Sequence, residues 1–325
     1  MNGTDAIRPG QEKARTASPG GGISFREDAM KRKEDIWKFF VILCGAFMIV
    51  LPISIGLFLF YKGAGTFTIY HHSIPEFLFS SNWNPADDSA GGGTIGAAVY
   101  IVGSLLVCGL ALLIAVPFSL AAAVFMTEIA PKRGTQILKP AVEIFVGIPS
   151  VVYGWIGLTI LVPFIKKVFS LNQGFSVLAA GIVLAIMIFP SITTLSADAI
   201  RGVDDKCRKA AYGMGATRWQ VIRQIVVPAA KPGILTGIIL GLARAFGEAL
   251  AVAMVIGKTR AFPAGILSPT TNLTAAIASD MGGAMEGGEY NTALWTMALL
   301  LFLISLLFIF MVHQISKRGE RAANG

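Results

Sequence analysis

The stretch KAAYGMGATRWQVIRQIVVP, residues 209–228, lies within a polar segment, 198–231, that separates two apolar runs. Its spacing predicts a short helix, a glycine corner at Gly215, a second short helix and a stop at Pro228. Trp219, Ile222 and Val226 stand at i, i+3 and i+7, which gives the second helix an apolar stripe between Arg218 and Arg223. Such a stripe fits a groove in a partner. It fits equally well against the chain's own spans or the lipid surface.

The rest of the chain sets this segment in a membrane. Of 325 residues, 54% are hydrophobic and 14% charged, with a mean hydropathy of +0.67, whereas soluble domains carry about 25% charged residues. Uncharged runs predict an all-α integral membrane protein with six transmembrane helices at about 37–61, 95–126, 141–165, 175–197, 232–257 and 292–314. The run 39–61 alone would be roughly 34 Å long as a helix, enough to cross a hydrocarbon core of about 30 Å. The run 95–126 is too long for one perpendicular helix and must tilt, bend near Pro117 or project beyond the membrane.

Charge orients the spans. Twenty-one of the 27 Lys and Arg residues fall before the first span, in the second-to-third and fourth-to-fifth connections, or in the tail. Only Lys62, Lys166, Lys167, Lys258 and Arg260 fall on the other side, with Lys166-Lys167 a local exception. The positive-inside rule therefore predicts cytoplasmic termini and a cytoplasmic loop at 198–231. The net charge of +8 follows this topology and does not point to nucleic acid. Residues 1–35 read as a disordered cytoplasmic arm, 36–315 as the membrane domain and 316–325 as a cytoplasmic tail. The first apolar run is too long for a signal peptide and has no small-residue cleavage site, so it is expected to stay as an anchor. Cys44, Cys108 and Cys207 offer no disulfide framework or metal spacing, and His71-His72 reads as a solvated pair in an outer loop.

One span carries charges. An arginine at the bilayer centre costs about 2.5–3.5 kcal/mol on insertion scales, yet Arg244-Ala245-Phe246-Gly247-Glu248 falls mid-span. The i, i+4 spacing would put Arg244 and Glu248 on one helix face as a pair. Either the pair locks two helices together, or Arg244 offers its planar fork of donors to an anion while Glu248 holds it when the site is empty. Gly237, Gly241 and Gly247 leave room for a neighbour. In the third span, Gly147-Ile148-Pro149-Ser150 loosens the helix, and Ser150 and Tyr153 are candidate neutral donors to an oxyanion, with a simple kink as the competing account. Glu143 reads mainly as a helix N-terminal acid, and Pro190, Ser191, Thr193 and Thr194 in the fourth span have the same ambiguity.

The segment 209–228 resembles the EAA loop of ABC importer permeases, whose pattern is Glu-Ala-Ala, three residues, Gly, nine residues, Ile, one residue, Leu-Pro. Ala210, Ala211, Gly215, Ile225 and Pro228 match it; Val227 replaces Leu, and Lys209 stands where the pattern has glutamate, reversing the charge. GIPSVVYGWIGL (147–158) and ARAFGEALAVAMVIG (243–257) are similar to phosphate-specific (Pst) permeases. Phe77-Leu78 to Trp83-Asn84-Pro85, LLIAVPFSLAAAVFMTEIAP (112–131) and NLTAAIA (272–278) resemble the PstC type within them.

The resemblance implies a MetI-like permease fold in a bacterial inner membrane. It implies a PstA-like second permease, two PstB-like ATPases and a PstS-like phosphate-binding protein outside. It also implies that Arg244 and Glu248 serve phosphate passage and that Lys209, Ala210, Ala211, Gly215, Trp219, Ile225 and Pro228 couple to the ATPases. No GxxxxGK[ST] motif occurs, so the chain is read as a transporter subunit and not an enzyme, with ATP and magnesium handled by the partners. The competing readings are a permease for another oxyanion, such as sulfate or molybdate, and an ion-gradient-driven carrier. A carrier would need no docking segment.

Overall fold

The computed structural model describes residues 21–88 and 90–324. Among these, six helical stretches are long and apolar enough to cross a membrane: Trp37–Thr68, Ala98–Ile129, Ser150–Val168, Val177–Arg201, Arg218–Gly247 and Glu289–Ile315. The described residues up to Leu57 form one compact unit and those from Phe58 onward a second. Helix α1, Gly21–Thr68, begins before its apolar run, so residues 21–35 of the expected arm are helical. Residues 1–20 of that arm lie outside the described residues.

In the second unit, Ser73 caps α2 (Ile74–Phe79), and an antiparallel ribbon pairs β1 (Trp83–Asn84) with β2 (Thr94–Ile95). Helices α3 (Ala98–Val124), α4 (Pro131–Arg133), α5 (Lys139–Gly147), α6 (Ser150–Ile156) and α7 (Val162–Val168) follow. After α8 (Val177–Arg201) come the short α9 (Asp205–Gly213) and α10 (Arg218–Val221). The chain closes with α11 (Val227–Gly247), α12 (Leu250–Val255), α13 (Leu273–Asp280) and α14 (Glu289–Asn324).

Four prolines shape these helices in one way. Five-residue π turns at Phe125–Ile129, Gly134–Leu138, Gly157–Leu161 and Ile222–Val226 each end two residues before a proline: Pro131, Pro140, Pro163 and Pro228. In each, the residue just before the proline donates its N–H to the carbonyl five residues back. A proline has no N–H, and its ring clashes with the carbonyl four residues back. One extra residue in the preceding turn moves that carbonyl aside and lets the helix continue through Pro140, Pro163 and Pro228, whereas at Ala130 the chain leaves the helix before Pro131. Pro228 is therefore not the stop that its type suggests. The helix runs through it from Arg218 to Gly247, and the fifth span begins earlier than 232.

Helix α8 is the centre of the bundle because its apolar residues encircle it. α3 and α11 both pack against it. Val107, Ala111, Leu184, Ile188, Ile192 and Val252 lie in this middle core. A second cluster at one end joins Phe77, Trp83, Ile95, Tyr100, Leu273 and Met297. A third, at the α9 end, joins Ala123, Ala197, Ile200, Ala211, Val226 and Ile234. The helical path is broken between α5 and α6, where the third of these stretches begins, and between α11 and α12, where the fifth ends.

Candidate functional site

Arg244 lies in the last turn of α11. Past Gly247 the backbone opens: Glu248 is extended at φ −77° and ψ 118°, and α12 starts at Leu250. A face shared at i and i+4 requires helix through residue 248, and the helix has already ended. The expected pairing is thus corrected. Among the described residues, Arg244 and Glu248 form no ion pair. Glu248 Oε1 instead accepts from Ala251 N at 3.1 Å, capping α12, and its carbonyl accepts from Thr274 Oγ1 at 2.8 Å. Arg244 is exposed and its Nη1 donates to Ser191 Oγ on α8 at 2.9 Å. Close helix approach makes this contact possible. One turn before Arg244, a Cβ on Gly241 would meet Ile192 Cγ1 at 2.6 Å, so only glycine lets α11 approach α8 this closely.

The third span breaks beside the same region. Ile148 and Pro149 are extended, with ψ of 127° and 142°. Pro149 cannot bond the Phe145 carbonyl four residues back, and Tyr153 Oη donates to that carbonyl at 2.8 Å. The Tyr153 hydroxyl proton, expected to serve an oxyanion, is committed to repairing the break, and its ring is buried. The unmet backbone acceptor draws it there. Ser150 is the half-buried first residue of α6, with no side-chain hydrogen bond among the described residues. Glu143 is exposed, with Lys139 Nζ 3.9 Å away.

Tyr153 lies within electrostatic reach of Arg244. Helices α6 and α12, which follow the two breaks, pack together with Gly154 against Ala251. An exposed guanidinium therefore sits beside two interrupted helices, with one neutral hydroxyl as its recorded partner. Its remaining N–H groups can receive the oxygens of an anion.

At the α9 end, Asp204 Oδ1 accepts from Lys206 N at 2.8 Å and starts α9. Gly215 makes the corner at φ +85°, a conformation that favours glycine, and Thr217 with Gln220 forms a capping box for α10. Ala211 is buried and Ile225 half-buried, while Lys209 and Ala210 are exposed. Among the described residues Lys209 has no ionic partner. The apolar stripe divides. Ile222 and Val226 are buried in the chain's own core, whereas Trp219 is 62% exposed, as are Tyr212 and Met214 in large part.

Two arginines to which the sequence reading gave no contact of their own, Arg208 and Arg218, anchor this segment. Arg208 Nη2 meets Glu128 Oε1 at 3.0 Å and the Ile200 carbonyl at 2.8 Å, while its Nη1 meets Asp205 at 2.9 Å. Arg218 Nη2 donates to the carbonyls of Glu128 and, at 2.8 Å, Ile129. The sequence signal for this anchor was Glu128, an acid closing a long apolar run.

The opposite end corrects the reading of His72. It is not a solvated loop residue: its Nε2 lies 2.6 Å from Oε1 of Glu289, which is 1% exposed. Glu289 Oε2 also accepts from the N–H groups of Ala86 and Gly93, at 2.6 and 2.9 Å. Nearby, Tyr290 Oη donates to Asp280 Oδ2 at 2.6 Å, and Arg260 reaches the same carboxylate at 3.0 Å. No group of three or more metal-ligating side chains occurs among the described residues.

Comparison with known proteins agrees with this architecture. A family profile described as "Binding-protein-dependent transport system inner membrane component" matches residues 115–321. The chain is 47% identical over 283 residues to the probable ABC transporter permease protein YqgH of Bacillus subtilis, covering 87% of this chain and 91% of that protein. It is 37% identical over 265 residues to the phosphate transport system permease protein PstC of Pasteurella multocida, covering 76% and 81%.

Among solved structures, an inward-facing MetNI methionine ABC transporter chain superposes with a TM-score of 0.51 at 21% identity, covering 69% of this chain and 94% of that one. A bacterial alginate ABC transporter chain gives 0.55 at 16% identity, covering 90% and 96%. Those two likenesses concern the fold, which is the MetI-like permease fold. The chain belongs to the binding-protein-dependent transport system inner membrane components, as a six-span, PstC-like ABC importer permease subunit.

Proposed function

We propose that this permease passes inorganic phosphate, delivered by a PstS-like binding protein, along a path shared with a PstA-like second permease. Two PstB-like ATPases dock on the cytoplasmic segment 209–228, and nucleotide-driven closure moves that segment and opens the path outward. Hydrolysis then returns it inward. Arg244 meets the anion at mid-depth, where its fixed positive charge offsets the oxyanion's loss of hydration.

The observation that carries the reading is the environment of Arg244. The guanidinium is exposed beside two broken spans, and a neutral serine is its recorded partner. Discontinuous helices within a membrane are tolerated where they line a cavity, and transporters place ligands at such breaks. The PstC relatives support phosphate as the substrate. Trp219, Tyr212 and Met214 support docking, because they remain exposed on a segment that buries Val221, Ile222 and Val226.

Uptake of radiolabelled phosphate by the assembled transporter tests the reading. Arg244→Ala should abolish uptake at unchanged membrane abundance, and normal uptake by that variant would refute the role of Arg244.

A further inference from the structure

We propose that Ser191 is a second anion-binding group of the path, donating its hydroxyl proton to the oxyanion that Arg244 holds. The inference rests on the reading of Arg244 given above and adds a residue from a different span.

A guanidinium only donates, so in the Arg244–Ser191 contact the serine oxygen is the acceptor and its own hydrogen is left for another partner. Serine and threonine in helices usually return that hydrogen to the carbonyl four residues back. On α8, Thr193 does so to Phe189 at 2.7 Å and Thr194 to Pro190 at 2.9 Å. Elsewhere Ser104, Thr127, Thr159, Thr236 and Ser305 do the same. Ser191 does not, and no acceptor for its proton is recorded among the described residues. Ser196 also lacks a partner, but it is wholly buried. Ser191 is half-buried and joined to an exposed cation.

Its local environment therefore presents donors: a positive fork and, beside it, a hydroxyl whose lone pair is engaged and whose proton is free. The ligand that satisfies both is an acceptor-rich anion with more than one oxygen, the class to which inorganic tetrahedral oxyanions belong. A cation or a neutral sugar would leave the Arg244 charge uncompensated. The contact also ties the position of Arg244 to α8, so the two donors move together.

The test uses the complete transporter in inverted membrane vesicles, in a background with Cys44, Cys108 and Cys207 changed to serine. Ser191→Cys should react with a small methanethiosulfonate reagent, and added inorganic phosphate should slow that reaction several-fold. A purely structural role for Ser191 would not give this protection. In uptake assays Ser191→Ala should lower transport at limiting phosphate by about tenfold, the size expected for losing a hydrogen bond to an ion. Ser191→Thr should restore most of it.

The proposal is overturned if the Ser191→Cys thiol stays unreactive in every nucleotide state, or if it reacts at the same rate with and without phosphate. Unchanged uptake in Ser191→Ala overturns it too. If those results accompany complete loss of uptake in Arg244→Ala, the serine proposal falls and the phosphate reading stands. If Arg244→Ala transports normally, both fall.

Discussion

A guanidinium in an apolar helical stretch needs an ionic partner or a wet path, and among the described residues Glu248 is not that partner. Its carboxylate caps α12 through Ala251 N, so it acts on the backbone and does not neutralise Arg244. Glu248→Gln keeps an acceptor for that cap, whereas Glu248→Ala removes it and should cost about 1 kcal/mol of local stability. Glu248→Gln is therefore expected to insert and assemble at wild-type levels, which blotting of purified complexes would check. Any uptake defect it then shows reports the charge alone. Arg244→Lys keeps the charge but loses the planar fork, and uptake should fall at least about tenfold. Full activity in that variant would show that a point charge suffices. Arg244 was legible in the sequence because a charge inside an apolar run is costly. Its partner was not, because the i, i+4 argument assumes an unbroken helix, and the helix ends one residue before Glu248.

Four helical junctions are proline-paired π turns, and the one at Ile222–Val226 connects the segment that begins at Lys209 to the helix that carries Arg244. One extra residue in a turn rotates everything before it by about 100° relative to a regular helix. Pro228→Ala removes the steric reason for that turn. If the helix relaxes to regular geometry, Trp219 changes its angular position while Arg244 keeps its own. The variant should therefore retain the partner ATPase but lose most phosphate-linked stimulation of ATP hydrolysis, measured in proteoliposomes. Wild-type stimulation would show that the turn persists without its proline or that its register does not matter.

The Arg208–Glu128 pair fixes the other side of the segment. Its side chains are 15% and 10% exposed, and breaking such a buried pair by removing one partner costs about 3–5 kcal/mol. Arg208→Ala and Glu128→Ala should each reduce recovery of the assembled complex, and the double variant should be less than additive because it strands no charge. Strict additivity in a double-mutant cycle would mean that the two residues act independently.

At the scale of the molecule, the six spans were legible because hydrophobicity over about twenty residues is a property of the whole segment, insensitive to local detail. The motif at 147–150 foretold a weakness in the third span, since proline has a defined backbone cost. The break after Gly247 had no comparable marker, because glycines also occur throughout α11 for helix packing. The burial of His72 against Glu289 was invisible too, since 217 residues separate the two in sequence.

Orientation rests on charge asymmetry, which a labelling experiment can check directly. Cys207 is exposed on α9, while Ser81 is exposed at the opposite end, beside the ribbon. With Cys44 and Cys108 replaced by serine and the ATPase partner absent, a membrane-impermeant maleimide should modify Cys207 in inverted vesicles and not in intact spheroplasts. A variant with Ser81→Cys and Cys207→Ser should show the reverse. The two positions lie at opposite ends of the same bundle, so concordant labelling of both from one side would contradict a membrane-spanning arrangement. Reversed labelling would place the Arg208- and Arg218-anchored segment outside the cell, where no ATPase could reach it.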